Sequence, residues 1–253
     1  MQKFLGYIFS PFQYLTFALF LLIFHPIQWI SLKLGGYSAH KRAVDILNFF
    51  LVSTYYCVGC HVRFINTFDL PTDRSIIFLA NHQSVYDISP LIWHLRKYHA
   101  KFVSKIELTK GIPSISFNLI HGGGANIDRK DPKQSITEIL KLAGRMRDNK
   151  WSTVIFPEGT RTRTGKMKPF AVGGVATLLK KVPDALVVPI AIQGSWELTQ
   201  YGTYPLKFGQ GIKYTVLDPI EPAGKAHEEV VAEAERRIKS VVEGGSERVK
   251  VEG

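Results

Sequence analysis

Two short stretches of this chain carry residue types that can do chemistry. The first is Asn81-His-Gln-Ser-Val-Tyr-Asp87, which follows the apolar run Ser75-Ile-Ile-Phe-Leu-Ala80. A histidine oriented by a carboxylate is a competent general base. His82 and Asp87 stand five positions apart, and on a helix only residues three or four apart share a face. For the two to touch, the chain must turn between them, and Asn81, Ser84 and Asp87 are turn and cap residues. The same letters have a second reading. Ser84-Val-Tyr-Asp87 ahead of the apolar stretch Ile88-Ser-Pro-Leu-Ile-Trp-His-Leu95 fits a capping box, with Asp87 closing a helix start. The second stretch is Phe156-Pro-Glu-Gly-Thr-Arg161, which opens into the basic loop Arg161-Thr-Arg-Thr-Gly-Lys-Met-Lys168. Gly159 lets the backbone pass close to a ligand, and Arg161 offers a planar fork suited to phosphate. A P-loop is excluded: Gly159 and Gly165 are one residue too far apart, and Met167 replaces the needed Ser or Thr.

These residues need a frame. From His61 onward short apolar runs alternate with helical segments, which predicts one α/β domain with a mixed, mostly parallel sheet flanked by helices. The predicted strands are 61–66, 75–80, 101–104, 125–128, 152–157, 186–193 and 212–217. The helical candidates are 88–97, a short piece at 113–120, 132–148, 172–182 and the polar amphipathic segment 226–244. The third has a clear start, with Asp131 as cap and Pro132 in the first turn. In such folds functional groups gather beyond the carboxyl ends of strands. His82, Arg129 and Glu158 each follow a predicted strand, so all three fall at equivalent ends.

The start of the chain is different in kind. Between Lys3 and Lys33 there is no Asp, Glu, Lys or Arg, and the apolar core of that segment is about long enough to cross a bilayer as a helix. Its apolar part is too long for a signal peptide, and no clear small-residue cleavage site follows. Pro26 is expected to kink this helix and Gly35-Gly36 to end it. A second apolar segment, Ala43 to Gly59, carries Asp45 and Asn48, which make full burial in lipid expensive. Residues 1–58 therefore read as a membrane-associated helical hairpin dipping into one leaflet, and 59–253 as the α/β domain. A single crossing plus a core helix is the competing arrangement.

Composition narrows the partners. The chain has 253 residues, 45% hydrophobic, and a net charge of +11 that is unevenly spread. Arg96 to Lys181 holds 18 Lys and Arg against 6 Asp and Glu, whereas Asp218 to the end holds 6 against 9. The middle of the chain suits anionic lipid surfaces, phosphates or nucleic acid. The apolar start and the lack of a recognised module argue against nucleic acid. Cys57-Val-Gly-Cys60-His61 matches a haem-attachment pattern, but the two cysteines sit where an apolar helix meets a strand, and packing is the expected role. No further Cys or His is well spaced for a metal.

Taken in order, NHQSVYD, GGGANIDR, FPEGTR and VVPIAI resemble the four motifs of the glycerolipid acyltransferase family, closest to its 1-acylglycerol-3-phosphate acyltransferases. The likeness covers roughly Cys60 to Leu217, and the apolar N-terminal hairpin is also typical. The resemblance implies acyl transfer from acyl-CoA or acyl-carrier protein to a lysophosphatidate, making phosphatidic acid, with no metal or other cofactor. It carries the base onto His82, its partner onto Asp87, and substrate binding onto Lys105, Arg129 and the stretch Glu158, Gly159, Thr160 and Arg161. It also implies a cytoplasmic position on a bacterial-type inner membrane. Asn126 departs from the family pattern, where an apolar residue is usual. Competing readings are the same chemistry on another lysophospholipid or on glycerol 3-phosphate, and a non-catalytic membrane-surface protein. A serine hydrolase using Ser84 lacks a G-x-S-x-G elbow.

Overall fold

A computed structural model describes residues 1–248; the last residues of the expected 59–253 domain lie outside the described part. The first element, α1 (Gln2–Ser53), is two helical arms that meet at Gly36 (φ 66°, ψ −162°). Only glycine occupies that backbone region readily, so the break falls at Gly36. Pro26 stays within helical dihedrals, and the first arm ends at Gly36, where Gly35-Gly36 is expected to end it. The arms run antiparallel, with Gln28 Oε1 3.3 Å from His40 Nε2 and the Phe20 and Phe50 rings stacked at 4.8 Å. Asp45 and Asn48, the polar residues that weaken the second arm for lipid, both find partners, while His40 Nδ1 is buried with none among the described residues. Lys41 pairs with Asp45, and the Asn48 amide donates to the Val44 carbonyl.

The strands are β1 (His61–Ile65), β2 (Ile76–Ala80), β3 (Lys101–Lys105), β4 (Ala125–Ile127), β5 (Thr153–Ile155), β6 (Leu186–Gln193) and β7 (Gly211–Val216). They form one seven-stranded sheet in the order β1-β7-β6-β2-β5-β3-β4. Every pairing is parallel except β6 with β7. The helices are α2 (Ile88–His94), α3 (Ile115–His121), α4 (Pro132–Asn149), α5 (Val172–Lys181), the short α6 (Ser195–Leu198) and α7 (His227–Arg248). All of the predicted strands and helices form, and α6 is an addition.

β2 is covered on both faces, which is why it reads as an unbroken apolar run rather than an alternating one. Ile77 and Leu79 go to a core shared with α4, α5 and α7, while Ile76, Phe78 and Ala80 go to the opposite core with α2. Burial on both sides makes β2 the fixed centre from which His82 is projected. The hairpin docks on the α2 side. Leu21, Phe24, Leu47 and Leu51 pack with Ile112 and Ile115, and the Ser114 hydroxyl donates to the Leu21 carbonyl at 2.6 Å. Farther along, the Tyr204 hydroxyl donates to the Tyr7 carbonyl and Leu206 N to Ser10 Oγ, each at 2.9 Å. The opposite side of the first arm leaves Phe12, Leu15, Leu19, Leu22 and Ile23 exposed.

Asn126 has a local explanation. Its side-chain amide donates to the Leu119 carbonyl at 2.6 Å and ties β4 to α3. Cys60 is fully buried in the core, where burial pushes its thiol up to about 12. It is a packing residue.

Candidate active site

β2 ends at Ala80, and the chain then makes the turn that the spacing of His82 and Asp87 requires. Asn81 anchors its start: the side-chain amide exchanges two hydrogen bonds with the backbone of Ile192 on β6, at 2.7 and 2.9 Å. Beyond it, His82 Nδ1 lies 2.8 Å from Asp87 Oδ2. The backbone amides of Gln83 and Ser84 donate to that same oxygen at 2.7 and 3.0 Å. Ser84 Oγ in turn accepts from Tyr86 N, which completes a capping box. The histidine–carboxylate contact and the capping box are therefore present together, and one carboxylate oxygen serves both. Asp87 has no exposed surface, whereas the His82 side chain keeps 15% of its own. The imidazole stacks on Phe156 at 4.1 Å between ring centroids, which fixes the ring plane. Since Nδ1 is held by the Asp87 carboxyl, Nε2 is left as the ring nitrogen able to take a proton.

Glu158 occupies the end of β5, and its role is now specific. Oε1 accepts from His82 N at 2.8 Å and Oε2 from Lys168 N at 2.9 Å. Both oxygens are committed to backbone, so Glu158 braces the histidine turn against the basic loop. Burial holds its carboxyl above the ordinary carboxylate range, and the two amide donors partly oppose that shift. The loop is tied a second time through Thr162 N, which donates to the His82 carbonyl at 2.9 Å. Gly159 (φ 69°) makes the turn, with open space where a side chain would project. Lys168 reaches back to Thr160 Oγ1 at 2.6 Å and to the Arg161 carbonyl at 3.0 Å.

The cations lie on the same carboxyl edge of the sheet. Lys105 ends β3 in register with Ile127 of β4, two residues before Arg129. Lys105, Arg129 and Arg161 are all exposed. Partial desolvation pulls the Arg129 guanidinium below its usual range; Glu107 opposes that shift and Arg161 adds to it. Two guanidinium groups close enough to repel each other, with a single carboxylate nearby, form a site that favours an anion.

Sequence reasoning missed two participants, Ser195 and Trp196. Ser195, at the start of α6, donates its hydroxyl to Asp87 Oδ1, and its own backbone N–H donates to Gln83 Oε1 at 3.1 Å. The Trp196 ring lies 3.1 Å from the point where Gly165 would carry a side chain. Ser84, weighed as a nucleophile, is 2% exposed and its oxygen is taken up by Tyr86 N and Ser195 Oγ. No local pattern marks Ser195 or Trp196, because their partners are distant in sequence.

The α/β sheet thus carries a histidine–aspartate pair at one strand end and an arginine-bearing loop at the next, an arrangement able to pair a proton acceptor with an anion. The chain belongs to the acyltransferase family, whose model matches residues 61–193. A Helicobacter pylori protein named 1-acyl-sn-glycerol-3-phosphate acyltransferase is 31% identical over 195 residues, covering 74% of this chain and 76% of that one. A chloroplastic protein of the same enzyme name from Brassica napus is 30% identical over 154 residues, 60% of this chain. The chain spans about two fifths of the length of the plant relatives it matches, between 37% and 43% for three of them. The crystal structure of the 1-acyl-sn-glycerophosphate (LPA) acyltransferase PlsC from Thermotoga maritima shares the fold. Its TM-score is 0.79 at 21% identity, with 97% of this chain and 98% of that one covered.

Proposed function

We propose that this protein transfers an acyl chain from an acyl thioester to the free hydroxyl of a 1-acyl-sn-glycerol 3-phosphate, making phosphatidic acid in phospholipid synthesis. The observation that carries this reading is the pairing of a carboxylate-held imidazole with a basic loop braced on the same residue, His82. An alcohol is a weak nucleophile at neutral pH. His82 Nε2 takes its proton as the oxygen attacks the thioester carbon, which supplies roughly 10²–10⁴-fold. The tetrahedral intermediate collapses by breaking the carbon–sulfur bond, and the sulfur leaves as a thiolate that can recover the proton from the imidazolium. Asp87 stabilises that imidazolium. Arg129, Arg161 and Lys105 hold the acceptor phosphate, so that the hydroxyl is presented to His82 rather than found by diffusion. Gly159 and Thr160 shape the loop, and Glu158 positions it. The thioester, whether acyl-CoA or acyl-carrier protein, is a co-substrate, and the chemistry needs no metal.

The hairpin supports a membrane-bound setting. Residues 2–58 include a helical stretch long and apolar enough to cross a bilayer, with mean hydropathy 1.8. Its reversal at Gly36 and its exposed apolar side favour seating in one leaflet, so that a lysolipid reaches His82 without entering water. Acyl thioesters are cytoplasmic compounds, which puts the catalytic face on the cytoplasmic side of a bacterial-type inner membrane. The test is an assay of the full chain in detergent with several lysolipids, glycerol 3-phosphate and both donor types, products being read by mass, and with His82→Ala as the control. Phosphatidic acid formed by the parent and lost in a folded His82→Ala is the expected result. Preference for a different acceptor would replace the substrate assignment, and activity in the folded variant would remove the base.

A further inference from the structure

We infer that Ser195 is a third member of the His82–Asp87 unit, a positioning residue that fixes which carboxylate oxygen faces the imidazole. This rests on the acyl-transfer reading of the site. Asp87 is fully buried, and its two oxygens are unequally used. Oδ2 accepts from His82 Nδ1, Gln83 N and Ser84 N; Oδ1 accepts from Ser195 Oγ. The direction of that bond is determined by its neighbours. Tyr86 N donates to Ser84 Oγ at 3.1 Å, and Ser84 Oγ lies 2.8 Å from Ser195 Oγ. An ionised carboxylate only accepts. The proton chain therefore runs from Tyr86 N–H through Ser84 and Ser195 to Asp87, and each hydroxyl in it both accepts and donates once.

Ser195 is placed for this by more than its hydroxyl. Gly194 turns with φ 86° as the chain leaves β6, and Gln83 Oε1 receives both Ser195 N and Trp196 N, at 3.1 and 3.3 Å. Gln83 lies inside the histidine turn itself. The β6–α6 corner is thus bolted to the residue next to His82, and Ser195 has no exposed surface. Without its hydroxyl, Oδ1 would be a buried anionic oxygen with no donor, and the carboxyl could rotate away from the geometry that serves His82. The charge that Ser195 now shares would also fall more fully on His82. The groups facing that imidazole are Asp87 from its own turn and Glu158 from the β5 loop, with Lys168 beyond Glu158; Tyr55 and Tyr214 face Asp87 itself. None of these changes in a Ser195 variant.

The experiment uses the full chain in detergent with ¹⁵N-labelled histidine, comparing the parent with Ser195→Ala and Ser195→Cys. Titrating substrate-free protein gives the midpoint for His82, assigned by its loss in His82→Ala. In Ser195→Ala that midpoint should move to higher pH by roughly half a unit or more. The turnover number should fall about ten-fold, as befits one charge-assisted hydrogen bond, with acceptor KM unchanged. Ser195→Cys fills the site with a weaker donor and should move the midpoint in the same direction by less; it decides the matter if the alanine variant does not fold. An unmoved midpoint in a folded variant, or a loss that falls on thermal stability alone, overturns the assignment. If the parent fails to acylate lysophosphatidate, the functional reading falls, while the His82 midpoint still decides the role of Ser195.

Discussion

Replacing Asp87 by asparagine separates charge from geometry at this site. Oδ2 receives three donors, His82 Nδ1 at 2.8 Å, Gln83 N at 2.7 Å and Ser84 N at 3.0 Å. An asparagine that puts its oxygen in that place keeps all three. Its NH₂ then faces Ser195 Oγ, which can turn its own proton toward Ser84. The flipped alternative points NH₂ at two backbone N–H groups, and each buried donor left unpaired costs about 1–3 kcal/mol. The cap therefore survives, the helix start is intact, and His82 keeps its proton on Nδ1. A tautomer change is opposed by the Gln83 and Ser84 amides. What disappears is the negative charge beside the imidazolium. At about 4 Å and an effective dielectric of about 20, that charge is worth about 4 kcal/mol, or about a thousand-fold in rate. The assay is the turnover number measured against thermal midpoint. The expected result is a loss of about three orders of magnitude with the thermal midpoint close to the parent's. Retention of a tenth or more of the activity would show that the carboxylate is only a cap.

Arg161→Lys keeps charge but loses the two-pronged fork, so acceptor KM should rise while donor KM changes little; an equal rise in both would mean a folding role instead. Lys101, only 6% exposed, is pulled down to about 7 by burial, with Lys41 adding to the shift. A lysine depressed in this way binds its proton less tightly folded than unfolded, so its penalty is complete below the folded value and fades as pH rises toward the ordinary lysine range. Comparing Lys101→Met with the parent by thermal melting, the difference should move in the variant's favour as pH falls from about 10 to about 7; a flat difference would rule this out. In the hairpin, Leu15→Glu with Leu22→Glu changes two exposed side chains, each worth roughly 1.5–3 kcal/mol when buried. Vesicle flotation should fall at least a hundred-fold by that arithmetic, with the fold unchanged, and persistent flotation would mean that this face does not enter lipid.

What was legible in the sequence is what has a short-range signature. The His82–Asp87 turn announces itself through residue types and spacing, and α4 through Asp131, whose side chain accepts from Gln134 N as a cap should. The strands emerge because β2 and β6 are buried along nearly their whole length. Placement of Lys105, Arg129 and Arg161 on one edge follows from parallel strands ending at one level. Other features depend on pairs that no window contains. Glu158 meets His82 across 76 positions and Ser195 meets Asp87 across 108. The resemblance gives Glu158 to the substrate, and the structure adds two backbone amides that each take one of its oxygens. The break at Gly36 is by contrast legible, since Gly35-Gly36 reads as the end of the first apolar helix and Gly36 takes a positive φ of 66°.

The hydrogen bonds at His82 carry a consequence for catalysis. Its backbone N–H is held by Glu158, and its carbonyl by Thr162 N. His82, the proposed base, is thus tethered on both sides of its own Cα to the loop that carries Arg161. Glu158 also holds Lys168 N, and Lys168 secures Thr160 and the Arg161 carbonyl. A displacement of the loop that bears Arg161 must then carry the imidazole with it. For a reaction between a lipid hydroxyl and a thioester, the distance from phosphate to hydroxyl is set by the substrate. The matching distance from arginine to imidazole has to be set by the protein. Gly159 lets the backbone turn sharply enough for one short loop to do so, and Asp87 holds Nδ1 of the imidazole while its carboxyl caps the short turn that leads into α2. Effective positioning is worth several kcal/mol in such reactions. In this fold it rests on backbone hydrogen bonds to a single residue rather than on the reach of flexible side chains.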